Sequence, residues 1–191
     1  MILRDNDKNN GKRDRIAYAR KRKQTARILW SVFIIAVVAL IVWSLISVQK
    51  KQDAVLPGRA VADQGREHVD KSHKHTYNSN PPTSGWHYAE AAEWGIYKEE
   101  LPDETLIHNL EHGGIWISYK PRISEDLRKK LEHFYDVYGR KIIVTPRQKN
   151  DQDIALAAWN RLDTFDAQEY SDEHINAFIK AFRNKGPEFV P

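Results

Sequence analysis

The chain has 191 residues, of which 41% are hydrophobic and 29% are charged, as in a globular protein rather than a disordered or fibrous one. Its charge is unevenly placed: residues 1–27 carry a net charge of +7, residues 28–49 carry none, and residues 50–191 carry −3. The basic excess therefore lies outside the folded part, which argues against a nucleic-acid-binding protein, and the absence of cysteine excludes disulfides, thiolate metal ligands and a cysteine nucleophile.

Residues 28–49 predict a single transmembrane helix. Serine is the only polar residue type between Ile28 and Val48, and about 20 apolar residues are needed to cross the hydrocarbon core of a bilayer. The apolar run is longer than that of a cleaved signal peptide, which favours an uncleaved anchor. Because basic residues crowd the end of the 1–27 tail, the positive-inside rule places that tail in the cytoplasm and the rest of the chain outside the cell membrane.

Residues 50–66 predict a linker, and residues 67–191 predict one compact extracytoplasmic domain. The linker segment is polar and is interrupted by proline and glycine. Residues 67–103 are rich in histidine, proline and aromatic residues and have little apolar periodicity. They predict a long structured loop region rather than regular elements.

Regular elements are predicted in the C-terminal half. Residues 115–119 and 141–145 are short apolar runs that each end at or near a proline, and they predict strands. Ser124 and Ser171 predict the N-caps of two amphipathic helices. Residues 153–159 fit either a third strand or a short helix. This order of elements predicts an α+β fold, or a small α/β fold, built as one layered structure.

Histidine clustering is the most informative feature of the sequence, because six of the eight histidines fall between positions 68 and 112. Neutral imidazole binds Zn(II), Cu(II) and Ni(II) without help from sulfur. His87 follows a proline pair and a glycine, which present it on a stiff loop. On that segment alone, a surface loop with a hydrogen-bonded histidine is the simpler interpretation.

The segment from His108 to His112 has two structural interpretations. On a helix capped by Asp103, both imidazoles would reach one ion, with Glu111 beside the same face. Alternatively, the segment would end a strand and begin a hairpin turn. It also matches the His-x-x-Glu-His pattern of a metalloprotease class in which the glutamate activates a zinc-bound water. The double glycine that follows disfavours this match, because a protease helix should continue.

The ordered motifs of the outer domain resemble those of the bacterial family known as domain of unknown function 3105. In chain order they are His68-Val69, Pro81-Pro82-Thr83-Ser84-Gly85-Trp86-His87, Gly95-Ile96-Tyr97 and His108 to Gly113. The likeness runs from about Gly65 to Glu188, and the resemblance implies a short, N-terminally anchored protein. Some members have a cysteine before the Gly-x-Tyr step, where this chain has Trp94. The resemblance implies no activity, but it singles out four of the histidines: His68, His87, His108 and His112.

These observations predict a membrane-anchored extracytoplasmic protein that binds a transition metal without catalysing a reaction. The candidate ligands are His68, His87, His108, His112 and Glu111. Zn or Cu(II) is the expected cofactor, because Cu(I) favours sulfur ligands and the chain has none outside Met1. Besides the lipid bilayer, an envelope protein is a possible partner. Two alternatives stay open: a metal-free interaction module that uses the aromatic residues of 77–97, and a zinc-dependent hydrolase that uses Glu111.

Overall fold

A mixed six-stranded sheet organises the folded domain. The computed structural model describes residues 29–47, 56–188 and 190. The strands are β1 (Arg59–Ala60), β2 (Gly95–Ile96), β3 (Ile115–Tyr119), β4 (Ile142–Pro146), β5 (Ile154–Ala158) and β6 (Arg161–Phe165). Their order in the sheet is β1-β6-β5-β3-β4-β2. The pairs β3–β4 and β4–β2 are parallel, whereas β3–β5, β5–β6 and β6–β1 are antiparallel.

The chain divides into two units, Met1–Gln52 and Asp53–Pro191. The first contains helix α1 (Leu29–Ser47), which is long and apolar enough to cross a membrane; a signal sequence near the N-terminus can pass the same test of length and composition. The predicted basic tail, residues 1–27, lies outside the described residues, as do residues 48–55. The predicted apolar helix is therefore present, and its membrane location and orientation remain predictions.

Helices cover both faces of the sheet in the second unit. They are α2 (Asp103–Glu111), α3 (Glu125–Tyr138) and α4 (Asp172–Phe182), with a short 3₁₀ helix at Ala167–Glu169. The predicted caps are confirmed, because the hydroxyl of Ser124 accepts a hydrogen bond from the backbone N–H of Leu127, and that of Ser171 accepts one from His174. Each cap satisfies one of the backbone donors that a helix leaves unpaired at its start.

Alternation along the strands creates two hydrophobic clusters, one on each face of the sheet. Ile115 and Ile117 of β3 pack in the cluster that contains the buried residues of α3 and α4. Trp116, between them, packs in the cluster that contains Leu106 and Leu110 of α2. Since both faces are covered, every residue of β3 is buried, and the strand is a continuous apolar run in the sequence apart from Ser118.

Most predicted elements of the second unit are confirmed. The strands predicted at 115–119 and 141–145 are β3 and β4, and residues 153–159 contain strand β5 rather than a helix. The segment from His108 to His112 lies on helix α2 and at its C-terminal cap, so the hairpin interpretation is wrong.

Two expectations about local structure need correction. Pro102, not Asp103, occupies the N-cap position of α2, and it makes no side-chain cap. The Asp103 carboxylate instead accepts two hydrogen bonds from the buried Arg147 guanidinium, at 2.7 and 2.8 Å. In addition, β1 lies inside the predicted linker of residues 50–66, since Arg59 and Ala60 pair with β6.

Candidate metal centre

The loop region places His68 and His87 side by side. The two residues form an isolated parallel β-bridge, in which the N–H of Val69 donates to the His87 carbonyl at 2.8 Å and the N–H of His87 donates to the Glu67 carbonyl at 3.0 Å. Their imidazole rings meet edge to face, with centroids 4.8 Å apart. This short pairing joins two segments of the loop that carry no helix or strand of their own.

Helix α2 supplies the other side of the site. His108 and Glu111 are three residues apart, which puts them on one helix face, and both are buried. The Asn109 side chain fixes the helix to the loop region, because its amide donates to the Ala92 carbonyl and its oxygen accepts from the Ala92 N–H. The helix stops directly after Glu111, and Gly113 continues the chain with a φ of +77°, a conformation that favours glycine.

Four potential ligand atoms converge between the loop and the helix. One donor atom from each of His68, His87, His108 and Glu111 lies within 4.8 Å of the other three. The Oε2 atom of Glu111 is 3.0 Å from Nε2 of His87 and 3.8 Å from Nε2 of His68. Adjacent ligands of a tetrahedral zinc ion are about 3.3 Å apart, since each bond is about 2.0–2.1 Å long. The two Glu111 separations bracket this value, and the atoms that lie farther apart, up to 4.8 Å, would have to move closer to share one ion.

Backbone carbonyls fix the orientation of two of these imidazoles. Nδ1 of His87 is 2.8 Å from the Gly85 carbonyl oxygen, and Nδ1 of His108 is 2.7 Å from the Tyr88 carbonyl oxygen. A carbonyl oxygen only accepts hydrogen bonds, so each Nδ1 carries a proton. In the neutral ring, Nε2 then has the lone pair, which faces Glu111 in His87 and faces His112 in His108. Metal-ligating histidines are held by second hydrogen bonds of this kind.

Burial lowers the pKa of two imidazoles, His87 and His112. The His87 side chain is fully buried, and burial lowers its pKa, although the Gly85 carbonyl and the Glu111 carboxylate oppose the shift. The pKa of His112 is also lowered, first by burial and then by the neighbouring His108. A neutral imidazole is the form that binds a metal ion.

His112 lies beside this four-residue group and contacts His108. Its Nε2 is 3.1 Å from Nε2 of His108 and 3.6 Å from a carboxylate oxygen of Glu188. The predicted pairing of His108 and His112 on one helix face is therefore present. His73 and His75 lie outside the group. Each imidazole ring contacts the Trp86 ring, with ring centroids 4.5 Å apart for His73 and 5.0 Å apart for His75.

Two charged neighbours of the site carry no signal in the sequence. The Arg66 guanidinium is 3.9 Å from Oε1 of Glu111, and the arginine side chain is 60% exposed. Glu188 reaches His112 because the C-terminal segment, residues 184–188, runs against the end of α2. Arg66 is an ordinary basic residue of the predicted linker, and Glu188 follows the last helix. Nothing in the sequence therefore predicts that either residue lies at the site.

Comparison with known proteins identifies one family. A family model with the description "Protein of unknown function (DUF3105)" matches residues 68–190, which include all four residues of the group and His112. No curated protein and no solved structure is significantly similar to the chain. At the position where the resemblance implies a cysteine in some members, the Trp94 ring packs over Gly114, where a Cβ atom would lie 2.5 Å from the ring.

Proposed function

Because the chain belongs to the DUF3105 family, whose description gives no function, we propose one from the site itself: the domain binds one divalent transition metal ion. The proposed ligands are His68, His87, His108 and Glu111. The observation that carries the proposal is the close grouping of four ligand atoms, in which the Nδ1–carbonyl hydrogen bonds of His87 and His108 leave Nε2 as the ligand atom of each ring. A cation at that point removes the repulsion between these electron-rich atoms.

The chemistry of the donors favours Zn(II) or Cu(II). Three imidazole nitrogens and one carboxylate oxygen are ligands that both ions accept. Sulfur ligands, which favour Cu(I), are absent from the group, and the chain has no cysteine. The half-exposed His68 leaves one side of the group accessible to solvent, with 48% of its side chain exposed. An accessible side supports a site that exchanges its ion or takes up a further ligand.

The proposed location is the outer side of a cell membrane. The apolar α1 is of sufficient length for a membrane anchor, and the basic residues that precede it favour a cytoplasmic N-terminus. In this arrangement the metal-binding domain is outside the cytoplasm. A protease-accessibility experiment on intact cells tests the orientation, because only an outer domain is digested without lysis.

Metal analysis of the full-length protein tests the binding proposal. The protein is purified in detergent without a histidine tag, incubated with Zn(II) or Cu(II), desalted and measured by elemental mass spectrometry. We expect about one ion per chain, lost in His87→Ala/His108→Ala. A His73→Ala/His133→Ala variant is the matched control, since it removes two histidines that lie outside the group, and it should keep its metal.

A folded wild-type protein that retains no metal would overturn the proposal. The specific alternative is then a metal-free interaction module, in which the His87–Glu111 hydrogen bond holds the loop region and the exposed His73 beside Trp86 belongs to a protein-binding surface.

A further inference from the structure

Two pairs of partly exposed side chains border the four-residue group and mark two candidate routes from solvent. On one side are His68 and Arg66, whose side chains are 48% and 60% exposed. On the other side are His112 and Glu188, whose side chains are 17% and 49% exposed. Both routes end at buried ligands, since Arg66 contacts Glu111 and His112 contacts His108. Either one provides a path by which an ion could reach the interior.

Charge distinguishes the two routes. The guanidinium of Arg66 repels a divalent cation that approaches past His68. At His112, the attraction of the Glu188 carboxylate outweighs the opposing charge of Lys141. Local charges of one sign steer oppositely charged ligands and raise their association rates. The side of His112 and Glu188 is therefore the favourable one for a metal ion.

The Glu188 carboxylate is placed there by main-chain contacts. The N–H of Glu188 donates to the Glu111 carbonyl at 3.1 Å, and the N–H of Asn184 donates to the Gly113 carbonyl at 2.8 Å. Between them, Gly186 lies so close to the backbone at the end of α2 that a Cβ atom would overlap main-chain atoms of Glu111 and Gly113. The C-terminal segment thus packs tightly against the end of the helix that carries the ligands.

We infer that Glu188 and His112 form a transfer path for the metal, so that the domain takes up and gives away its ion instead of holding it permanently. The inference rests on the metal site proposed above. The path has metal-binding atoms at successive short distances: 3.6 Å from Glu188 Oε2 to His112 Nε2, and 3.1 Å from there to His108 Nε2. An ion moves along it by exchanging one ligand for the next, and a continuous access path is a requirement of a working site.

Proton balance along this path is simple. Because Nδ1 of His108 carries its proton, the proton between the two Nε2 atoms belongs to His112. To bind an ion through Nε2, His112 would need its proton on Nδ1, and water can supply that proton as it takes the one from Nε2. His108 would give up only its hydrogen bond, which frees the Nε2 lone pair for the ion.

Metal-exchange kinetics test the inference on the full-length protein in detergent. Zn(II) loading and release are followed by stopped flow with a chromophoric chelator for wild type, His112→Ala and Glu188→Gln. We expect His112→Ala to slow loading and release by the same factor, about tenfold or more, and Glu188→Gln to slow loading by a similar factor. Residues of a transfer path affect the barrier in both directions, whereas the dissociation constant depends only on the end states.

Matched controls and salt separate the contributions. His133→Ala and Glu99→Gln remove an exposed imidazole and an exposed carboxylate elsewhere in the domain and should leave both rates unchanged. The effect of Glu188→Gln should shrink at high ionic strength, because screening removes the attraction of the wild-type carboxylate.

Three results would overturn the inference. Unchanged rates in both variants would show that the ion uses another route. A weaker equilibrium affinity of Glu188→Gln with an unchanged loading rate would show that this carboxylate is a ligand of the bound ion. A wild-type protein that binds no Zn(II) would remove the metal site itself, which is a different failure from a site that binds normally and ignores both substitutions.

Discussion

Replacing Glu111 with glutamine separates the metal site from an internal ion pair. The carboxylate oxygen lies 3.0 Å from Nε2 of His87, whose Nδ1 proton is held by the Gly85 carbonyl. In Glu111→Gln the new amide N–H can donate to the Nε2 lone pair, so a buried hydrogen bond of about 0.5–1.5 kcal/mol forms where the metal-free wild type has two electron-rich atoms in contact. The contact with the exposed Arg66 is lost, and such surface pairs contribute about 0–1 kcal/mol. The metal-free variant should therefore unfold within about 1 kcal/mol of wild type.

Metal affinity should respond quite differently to the same substitution. At a Zn(II) concentration of 100 times the dissociation constant, binding stabilises the wild type by about 2.7 kcal/mol. If the loss of the anionic ligand weakens binding about 100-fold, the same Zn(II) concentration stabilises Glu111→Gln by only about 0.4 kcal/mol. For a domain of this size the difference of about 2.3 kcal/mol corresponds to roughly 7–8 °C in Tm.

Thermal unfolding with and without Zn(II) measures both effects on the same samples. A Zn(II)-induced rise in Tm that is as large in Glu111→Gln as in wild type would refute the assignment of this carboxylate as a ligand. A metal-free Glu111→Gln protein destabilised by several kcal/mol would instead show that the pair with His87 holds the fold by itself.

Three further substitutions test the surroundings of the site. Arg147→Met should destabilise the protein by about 3–5 kcal/mol in urea unfolding, because it leaves the Asp103 carboxylate without its partner. Adding Asp103→Leu should recover part of the lost stability, and no recovery would contradict this reasoning. Gly186→Ala should displace the C-terminal segment and slow Zn(II) exchange as Glu188→Gln does, since a Cβ has no room there; unchanged kinetics would argue against that packing. The Arg122 hydrogen bond holds the pKa of Asp153 below its ordinary 3.8. Wild type should therefore be more stable than Arg122→Gln above about pH 4, and the difference should vanish as the pH falls through the lowered pKa of the folded state. A difference in stability that does not depend on pH would exclude this cause.

Local sequence signals were sufficient for the central elements and insufficient at the edges of the sheet. Serine caps and apolar runs act within a few residues, so they marked α3, α4, β3 and β4 correctly. Strand β6 was missed because its residues 161–165 mix charged and apolar side chains and become a strand by pairing with β5. The two-residue strands β1 and β2 likewise depend on neighbours distant in the chain.

The site divides in the same way between local and long-range causes. The helical spacing of His108, Glu111 and His112 was visible in the sequence, since a helix brings residues three and four apart together. His68 and His87 were selected through the family resemblance, and their contact comes from a bridge between distant parts of the loop. The carbonyls that orient the imidazoles are backbone groups, which no residue type encodes.

The loop region has its own attachments to the rest of the domain, and these decide what removal of metal should do. Arg147 donates to the Asn80 side chain at 2.6 Å, the Asn80 amide donates to the Lys149 carbonyl at 2.6 Å, and Asn109 is bonded to the Ala92 backbone. None of these contacts involves a proposed ligand side chain. We therefore expect the domain to fold without an ion, in contrast to small domains that unfold without their metal.

Chelation should therefore leave the fold intact. With excess chelator, the far-ultraviolet circular dichroism of the protein should stay unchanged, and Tm should fall only by the amount that the metal's binding energy contributes. The proposed transfer of metal requires a metal-free domain that stays folded, because the domain must be able to bind a new ion after it has released the first. Cooperative unfolding on chelation at room temperature would mean that the ion is a structural metal that the fold requires. That result would contradict the inferred transfer of metal through His112 and Glu188.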